Sequence, residues 1–118
     1  MDIAHHSPDE SERKRAHAEA ALLTPVAKAY STDMGVEVAS EGIQVHGGMG
    51  YIEETGAAQH YRNARIAPIY EGTNGIQAID LVTRKLPSNG GETVYGFIAS
   101  LRETVRAIKA ANEPAFAI

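Results

Sequence analysis

Thr24-Pro25-Val26-Ala27-Lys28-Ala29-Tyr30-Ser31-Thr32-Asp33-Met34-Gly35-Val36-Glu37-Val38-Ala39, continued by Ser40 to Val45, is the stretch whose periodicity decides the fold. Val26, Tyr30, Met34 and Val38 recur every four residues, which puts them on one face of a helix. Thr24 is a capping residue and Pro25 suits a first helical position, so a helix is expected to open there and run to about Val45. The four apolar residues are its expected core face. Ala27, Ser31, Gly35 and Ala39 form a neighbouring stripe of small side chains. A second helix packed there would offset the roughly 1 kcal/mol that a mid-helix glycine costs against alanine.

Outward from this stretch the same signals repeat. Ser7-Pro8-Asp9-Glu10 combines a capping serine, a proline and a glutamate at the fourth place, which predicts a helix over residues 8 to 22. Met1 to His6 is expected to be the end of a further helix that the chain's start interrupts. On the other side, Gly47, Gly48 and Gly50 predict a loop from His46 to Thr55, with backbone shapes or approaches that side chains forbid. Gly56 to Arg65 reads as a short helix capped by Thr55 and stopped ahead of Pro68. Thr73 caps another to about Leu86, with Ile76, Ile79 and Val82 or Leu81 inward and Arg84 and Lys85 complementing its C-terminal dipole. Pro87 to Gly91 reads as a linker. Val94, Phe97, Ile98, Leu101, Val105 and Ile108 then mark one face of a last helix. Strand signals such as Tyr51-Ile52 are too brief to make a sheet, so the fold class is all-α, a helical bundle of about four to five helices.

Composition agrees with close packing through small side chains: hydrophobic residues make up 43%, aromatics only 6%, and tryptophan is absent. A formal charge of −4 gives no basic footprint for nucleic acid. The absence of cysteine removes disulfides and thiolate chemistry together. No apolar run approaches the roughly 18 residues of a membrane span, and the first residues lack a signal peptide's apolar centre. The expected location is cytoplasmic, or the mitochondrial matrix in a eukaryote.

Ile69-Tyr70-Glu71-Gly72-Thr73 carries the sharpest chemical signal. Glu71 stands just ahead of a helix N-terminus, whose free N–H groups favour a carboxylate, and a flat apolar ligand that excluded water would make that carboxylate a better proton acceptor. By spacing alone it is either a helix-capping acid or a base. Gln44-Val45-His46-Gly47-Gly48 is either a helix stop with a turn or a backbone surface for a cofactor; it is no dinucleotide fingerprint, because no strand precedes it. Neither the other histidines nor any acidic residue is spaced with His46 as a metal-ligand set, and no metal site is expected. Arg62 and Arg65 share a helix face and are expected to pair with Glu53, Glu54 or Asp80. Adjacent Glu53 and Glu54 are expected on a solvated face rather than as an acidic dyad.

Taken together, Gln44 to Tyr51, Tyr61-Arg62-Asn63-Ala64-Arg65-Ile66 and Ile69 to Thr73 resemble the C-terminal helical domain of the acyl-CoA dehydrogenase family, in the family's order and over Thr24 to Leu86. The resemblance implies FAD as cofactor and an acyl-CoA as substrate, with Glu71 as the catalytic base that removes the α-proton while the β-hydrogen leaves as hydride to flavin. It implies that Glu71 and Gly72 contact substrate, and that Gln44, Val45, His46, Gly47, Gly48, Tyr70 and Thr73 contact FAD. In the family, the segment matching Gln44 to Gly48 reaches the cofactor of a neighbouring subunit. Electron-transfer flavoprotein is the implied acceptor and a homo-oligomer the implied assembly. Where the family usually has aspartate, this chain has Asn63.

Family members are several times longer, so the chain is expected to be a fragment: residues 1–86 a C-terminal helical domain truncated at its start, and 87–118 a linker and the start of a helical extension. That extension resembles the longer subgroup of the family, which includes methylmercaptopropionyl-CoA dehydrogenases. The fragment is expected to be inactive by itself, or to act as a non-catalytic helical association module, with apolar stripes left short of partners.

Overall fold

Capping and helix propensity set where the chain begins to coil, and polar ties set which faces meet. The computed structural model describes residues 2–111. They form α1 (Asp2–His6), α2 (Glu10–Val45), α3 (Gly48–Tyr51), α4 (Ala57–Ala64), α5 (Asn74–Asp80) and α6 (Glu92–Ala110). Single 3-10 turns lie at Glu53–Thr55 and Ser88–Gly91, and a π-helical turn, Leu81–Lys85, continues α5. No strand occurs among the described residues, and the all-α class holds.

Two compact units divide the chain. The first takes the residues up to Leu22 and those from Lys85 on. In it the His6 ring Nδ1 lies 2.9 Å from the Asp2 carboxylate across the single turn of α1, and Ala4 and Leu22 are buried. The cap of α2 is Asp9 rather than Ser7. The Asp9 carboxylate accepts from the Ser11 backbone N–H and the Ser11 hydroxyl, both at 2.8 Å, while the Ser7 hydroxyl donates to Glu12. The expected helix start therefore moves from Pro8 to Glu10. The predicted linker is an ordered turn in which Asn89, Gly90 and Gly91 all have positive φ, and a Cβ on Gly91 would lie 3.1 Å from the Tyr95 ring.

The second unit, Leu23–Arg84, carries the candidate site. Its first helical segment is no new helix: α2 runs unbroken through Thr24-Pro25. Pro25 removes the donor that would meet the Ala21 carbonyl, at a cost near 3 kcal/mol in a helix interior. Two features oppose that cost: the strong helix formers Ala18, Ala20, Ala21, Leu22 and Leu23 just ahead, and the complete burial of the Pro25 ring.

The stripe expected to be core is exposed, Tyr30 and Val38 by about two-thirds (68% and 64%). Pro25, Ala29, Thr32, Val36, Ala39 and Ile43 form the covered face instead, about 160° round the helix and so nearly opposite. The reason is polar and steric. Gly72 and Asn74 bind Lys28, Ala29, Thr32 and Asp33, and the backbone of Gly50 presses against the Ile43 carbonyl, which together draw the following segments onto this face. Among the described residues nothing stands within 4 Å of a Cβ built on Gly35, so no helix closes on the small stripe there. Ile76, Ile79 and Val82, expected inward, are also exposed, and Leu81 alone of that set is half-buried.

Candidate functional site

The segment Ala64 to Thr73 leaves α4 as a chain of turns. Thr73 caps α5 as expected, its hydroxyl accepting from the Ile76 N–H at 3.2 Å. Two residues earlier Glu71 has φ 54°, and Gly72 follows at φ 87°. A left-handed conformation is disfavoured for a residue with a Cβ, so outside contacts must hold Glu71 there. They are present on both of its carbonyl neighbours: Gln77 Nε2 donates to the Glu71 carbonyl at 3.3 Å, and Lys28 Nζ donates to the Gly72 carbonyl at 2.8 Å. Among the described residues the Glu71 backbone N–H makes no hydrogen bond. Its side chain is exposed, as is that of Tyr70 beside it. Glu71 therefore offers an exposed carboxylate and an unengaged donor N–H from one residue.

Sequence reasoning passed over the residues that hold this turn. Lys28 also donates to Asn74 Oδ1 at 2.9 Å, and Asn74 Nδ2 donates to Asp33 Oδ1 at 2.8 Å and to the Ala29 carbonyl at 3.3 Å. Lys28, Thr32 and Asp33 lie one turn apart on α2, the one available signal of a polar patch on that helix.

At the other end of α2 the glycines divide by role. Gly47 takes φ 60° and ψ −143°, a shape open only to glycine. A Cβ on Gly50 would stand 2.3 Å from the Ile43 carbonyl oxygen. Gly48 has open space on its Cβ side and starts α3, a helical turn where a plain loop was expected. Val45 is 83% exposed, and Gln44 and His46 are exposed too, with His46 Nδ1 2.8 Å from the Gly42 carbonyl. Thr55 caps nothing; its hydroxyl donates back to the Met49 carbonyl at 2.6 Å, and Gly56 in the left-handed region starts α4.

Beside this turn a cavity of about 570 Å³ is lined by Ile43, Tyr51, Ile52, Ala58 and Tyr61 with Glu53, Glu54 and Arg62 at its edge. None of residues 69–73 lines it. Arg62 pairs with Glu53 at 3.4 Å as expected, and Asp80 pairs with Arg84. Gln59 Nε2 donates to Asn63 Oδ1 at 2.7 Å, so Asn63 pairs with an amide. No group of three or more His, Asp or Glu able to hold a metal ion occurs among the described residues.

Glu71 and the Gln44–Gly48 turn do not meet along this helix. Lys28, which touches the Gly72 carbonyl, and Gln44 are sixteen residues apart on α2, about 24 Å of helix axis.

Residues 7–86 match the family model of the acyl-CoA dehydrogenase C-terminal domain. The chain belongs to the acyl-CoA dehydrogenase family. Among curated relatives of this family, 3-methylmercaptopropionyl-CoA dehydrogenase of Ruegeria pomeroyi is 52% identical over 104 residues, 88% of this chain and 18% of that protein. A butyryl-CoA dehydrogenase of Syntrophomonas wolfei is 34% identical over 89% of the chain and 17% of its own length. The human mitochondrial short-chain specific acyl-CoA dehydrogenase is 41% identical over 53% of the chain and 15% of its length. The chain thus spans less than a fifth of the acyl-CoA dehydrogenases to which it is similar. No helix among the described residues is long and apolar enough to cross a membrane.

Proposed function

We propose that this chain is the part of an FAD-dependent acyl-CoA dehydrogenase that carries the catalytic base, Glu71. The observation that carries the reading is the Glu71 turn: an exposed carboxylate and, among the described residues, an unengaged backbone N–H on one residue, held left-handed ahead of a capped helix. The carboxylate takes the α-proton of an acyl-CoA thioester. Its electron pair becomes the new Cα–Cβ π bond as the β-hydrogen leaves with its own pair, giving the 2,3-enoyl-CoA. Bound FAD supplies the hydride acceptor. The Glu71 N–H donates to the thioester carbonyl, where negative charge develops as the proton leaves, an oxyanion-hole role. Gly72, at φ 87°, lets the chain turn sharply beside the substrate directly after the base.

Gln44, Val45, His46, Gly47 and Gly48 suit contact with FAD, since the turn leaves main chain bare and exposes polar side chains around it. Tyr70 and Thr73 would flank the cofactor at the other end. The helix length between the two ends supports a base and a flavin-contact turn that serve different active sites, each subunit of a homo-oligomer reaching its neighbour's FAD. Residues 1–86 would be the helical C-terminal domain and 87–118 the start of a further helical extension. An electron-transfer flavoprotein is the proposed electron acceptor, in the cytoplasm or mitochondrial matrix.

Glu71→Gln in the full-length protein is the test. The amide keeps shape and hydrogen bonding but takes no proton, so turnover should fall by at least about 1,000-fold with normal flavin content. Substantial residual oxidation of acyl-CoA would remove Glu71 from the role of base.

A further inference from the structure

We propose that Lys28, Asn74 and Asp33 form a positioning clamp that sets the Glu71–Gly72 peptide in its left-handed conformation and thereby aims the base; the proposal rests on the reading of Glu71 given above. Glu71 and Gly72 are consecutive residues with positive φ, at 54° and 87°, and Glu71 has a Cβ that disfavours that shape. Among the described residues its own side chain makes no bond that would hold it. What holds it is the bonding of the two carbonyls that follow from those φ values, one to Gln77 and one to Lys28. The Lys28 ammonium is a charged donor placed 2.8 Å from the Gly72 carbonyl, and charge-assisted bonds are roughly twice as strong as neutral ones.

Lys28 is aimed by Asn74. The Asn74 amide lies between a cation and an anion: its oxygen accepts from Lys28 at 2.9 Å and its nitrogen donates to Asp33 at 2.8 Å. That order of charges allows one amide orientation only. Asn74 Nδ2 also donates to the Thr32 hydroxyl at 3.1 Å and to the Ala29 carbonyl at 3.3 Å, and the Asn74 N–H donates to the Pro68 carbonyl at 3.0 Å. The last bond closes the Pro68–Asn74 loop on itself. The other bonds fasten that closed loop to α2, so the base is carried by the helix rather than by a free loop. Catalysis is sensitive to such aiming, since a misplacement near 1 Å can cost about 100-fold.

The test is Lys28→Met in the flavin-loaded full-length protein, with Lys28→Arg beside it. Turnover per bound flavin should fall about 10- to 100-fold while KM moves less than about threefold, and arginine should restore part of the loss. In a Glu71→Gln background, Lys28→Met should cost a smaller factor than in the parent, because the part of its effect that aims the carboxylate is already lost and only the aim of the Glu71 N–H remains. Asp33→Asn, which removes only the charge beyond Asn74, should lower kcat in the same direction by a smaller factor, and it carries the test if Lys28→Met does not load flavin. Unchanged kcat per flavin in the variant that loads, or an equal loss with and without the Glu71 carboxylate, would overturn the clamp. Retained turnover in Glu71→Gln alone would instead overturn the assignment of the base.

Discussion

Gly50→Ala tests the tightest contact in the unit that carries the site. An alanine Cβ there would stand 2.3 Å from the Ile43 carbonyl oxygen, 2.9 Å from His46 Cβ and 3.0 Å from the Ile43 carbonyl carbon. Two of those atoms are backbone, fixed in the last turns of α2, so α3 must move away by about 1 Å to reach ordinary contact. Overpacking of this kind costs about 1–3 kcal/mol. Gly48→Ala, two residues away in the same helical turn, meets nothing within 4 Å and has a negative φ. It should stabilise by about 0.4–1 kcal/mol through loss of unfolded-state entropy. Urea unfolding of the 118-residue chain, followed by far-ultraviolet circular dichroism, separates the two. With a slope near 1–2 kcal/mol/M, Gly50→Ala should lower the midpoint by roughly 1 M and Gly48→Ala should raise it slightly. Equal midpoints for the two variants would refute the steric reasoning.

The other expectations concern the ends, the surfaces and the cofactor. The Ser11 hydroxyl, then the Ser11 backbone N–H, hold the Asp9 carboxyl below its ordinary value. Its capping contribution is therefore complete above the ordinary carboxylate range and is lost as pH falls through the lower folded value. Asp9→Ala should speed Ser11 amide exchange relative to the parent chain near pH 6, and the difference should shrink as pH falls below the ordinary carboxylate range; equal rates near pH 6 would rule out the cap. With Tyr30, Val38, Tyr95 and Leu101 exposed, the isolated chain should self-associate at micromolar concentration, and a strictly monomeric, well-folded species in light scattering would contradict this. The purified 118-residue chain should also be colourless and inactive, which an absorbance scan near 450 nm decides.

Local signals held at Thr73 and Gly47 and failed at Ser7 and Thr55, whose hydroxyls bond elsewhere. Thr73 caps α5 as its position ahead of the Asn74–Asp80 helix implies, and Gly47 takes the shape that its glycine run suggests. The resemblance of Gln44 to Thr73 to a family was legible too, because it rests on consecutive residues. Longer-range facts were not. Whether Thr24-Pro25 starts a helix or lies inside one depends on how firmly the preceding alanines and leucines coil, and a cap-plus-proline pattern reads the same in both cases. The covered face of α2 was misplaced because periodicity ranks faces by hydrophobicity. The choice here is made by Lys28, Thr32 and Asp33, whose partners lie more than forty residues away.

The sixteen-residue separation of Lys28 and Gln44 on α2 has a genetic consequence. If the base of one subunit and the Gln44–Gly48 turn of its neighbour build each centre, two dead alleles can rescue each other. In a mixed dimer of a Glu71→Gln subunit with a Gly47→Val subunit, one centre inherits both lesions and the other inherits neither. Co-expression would then restore up to half the activity per mixed dimer, although each allele alone is null. Were both motifs to serve the same centre from a single chain, every centre would carry one lesion and no pairing of the alleles would complement.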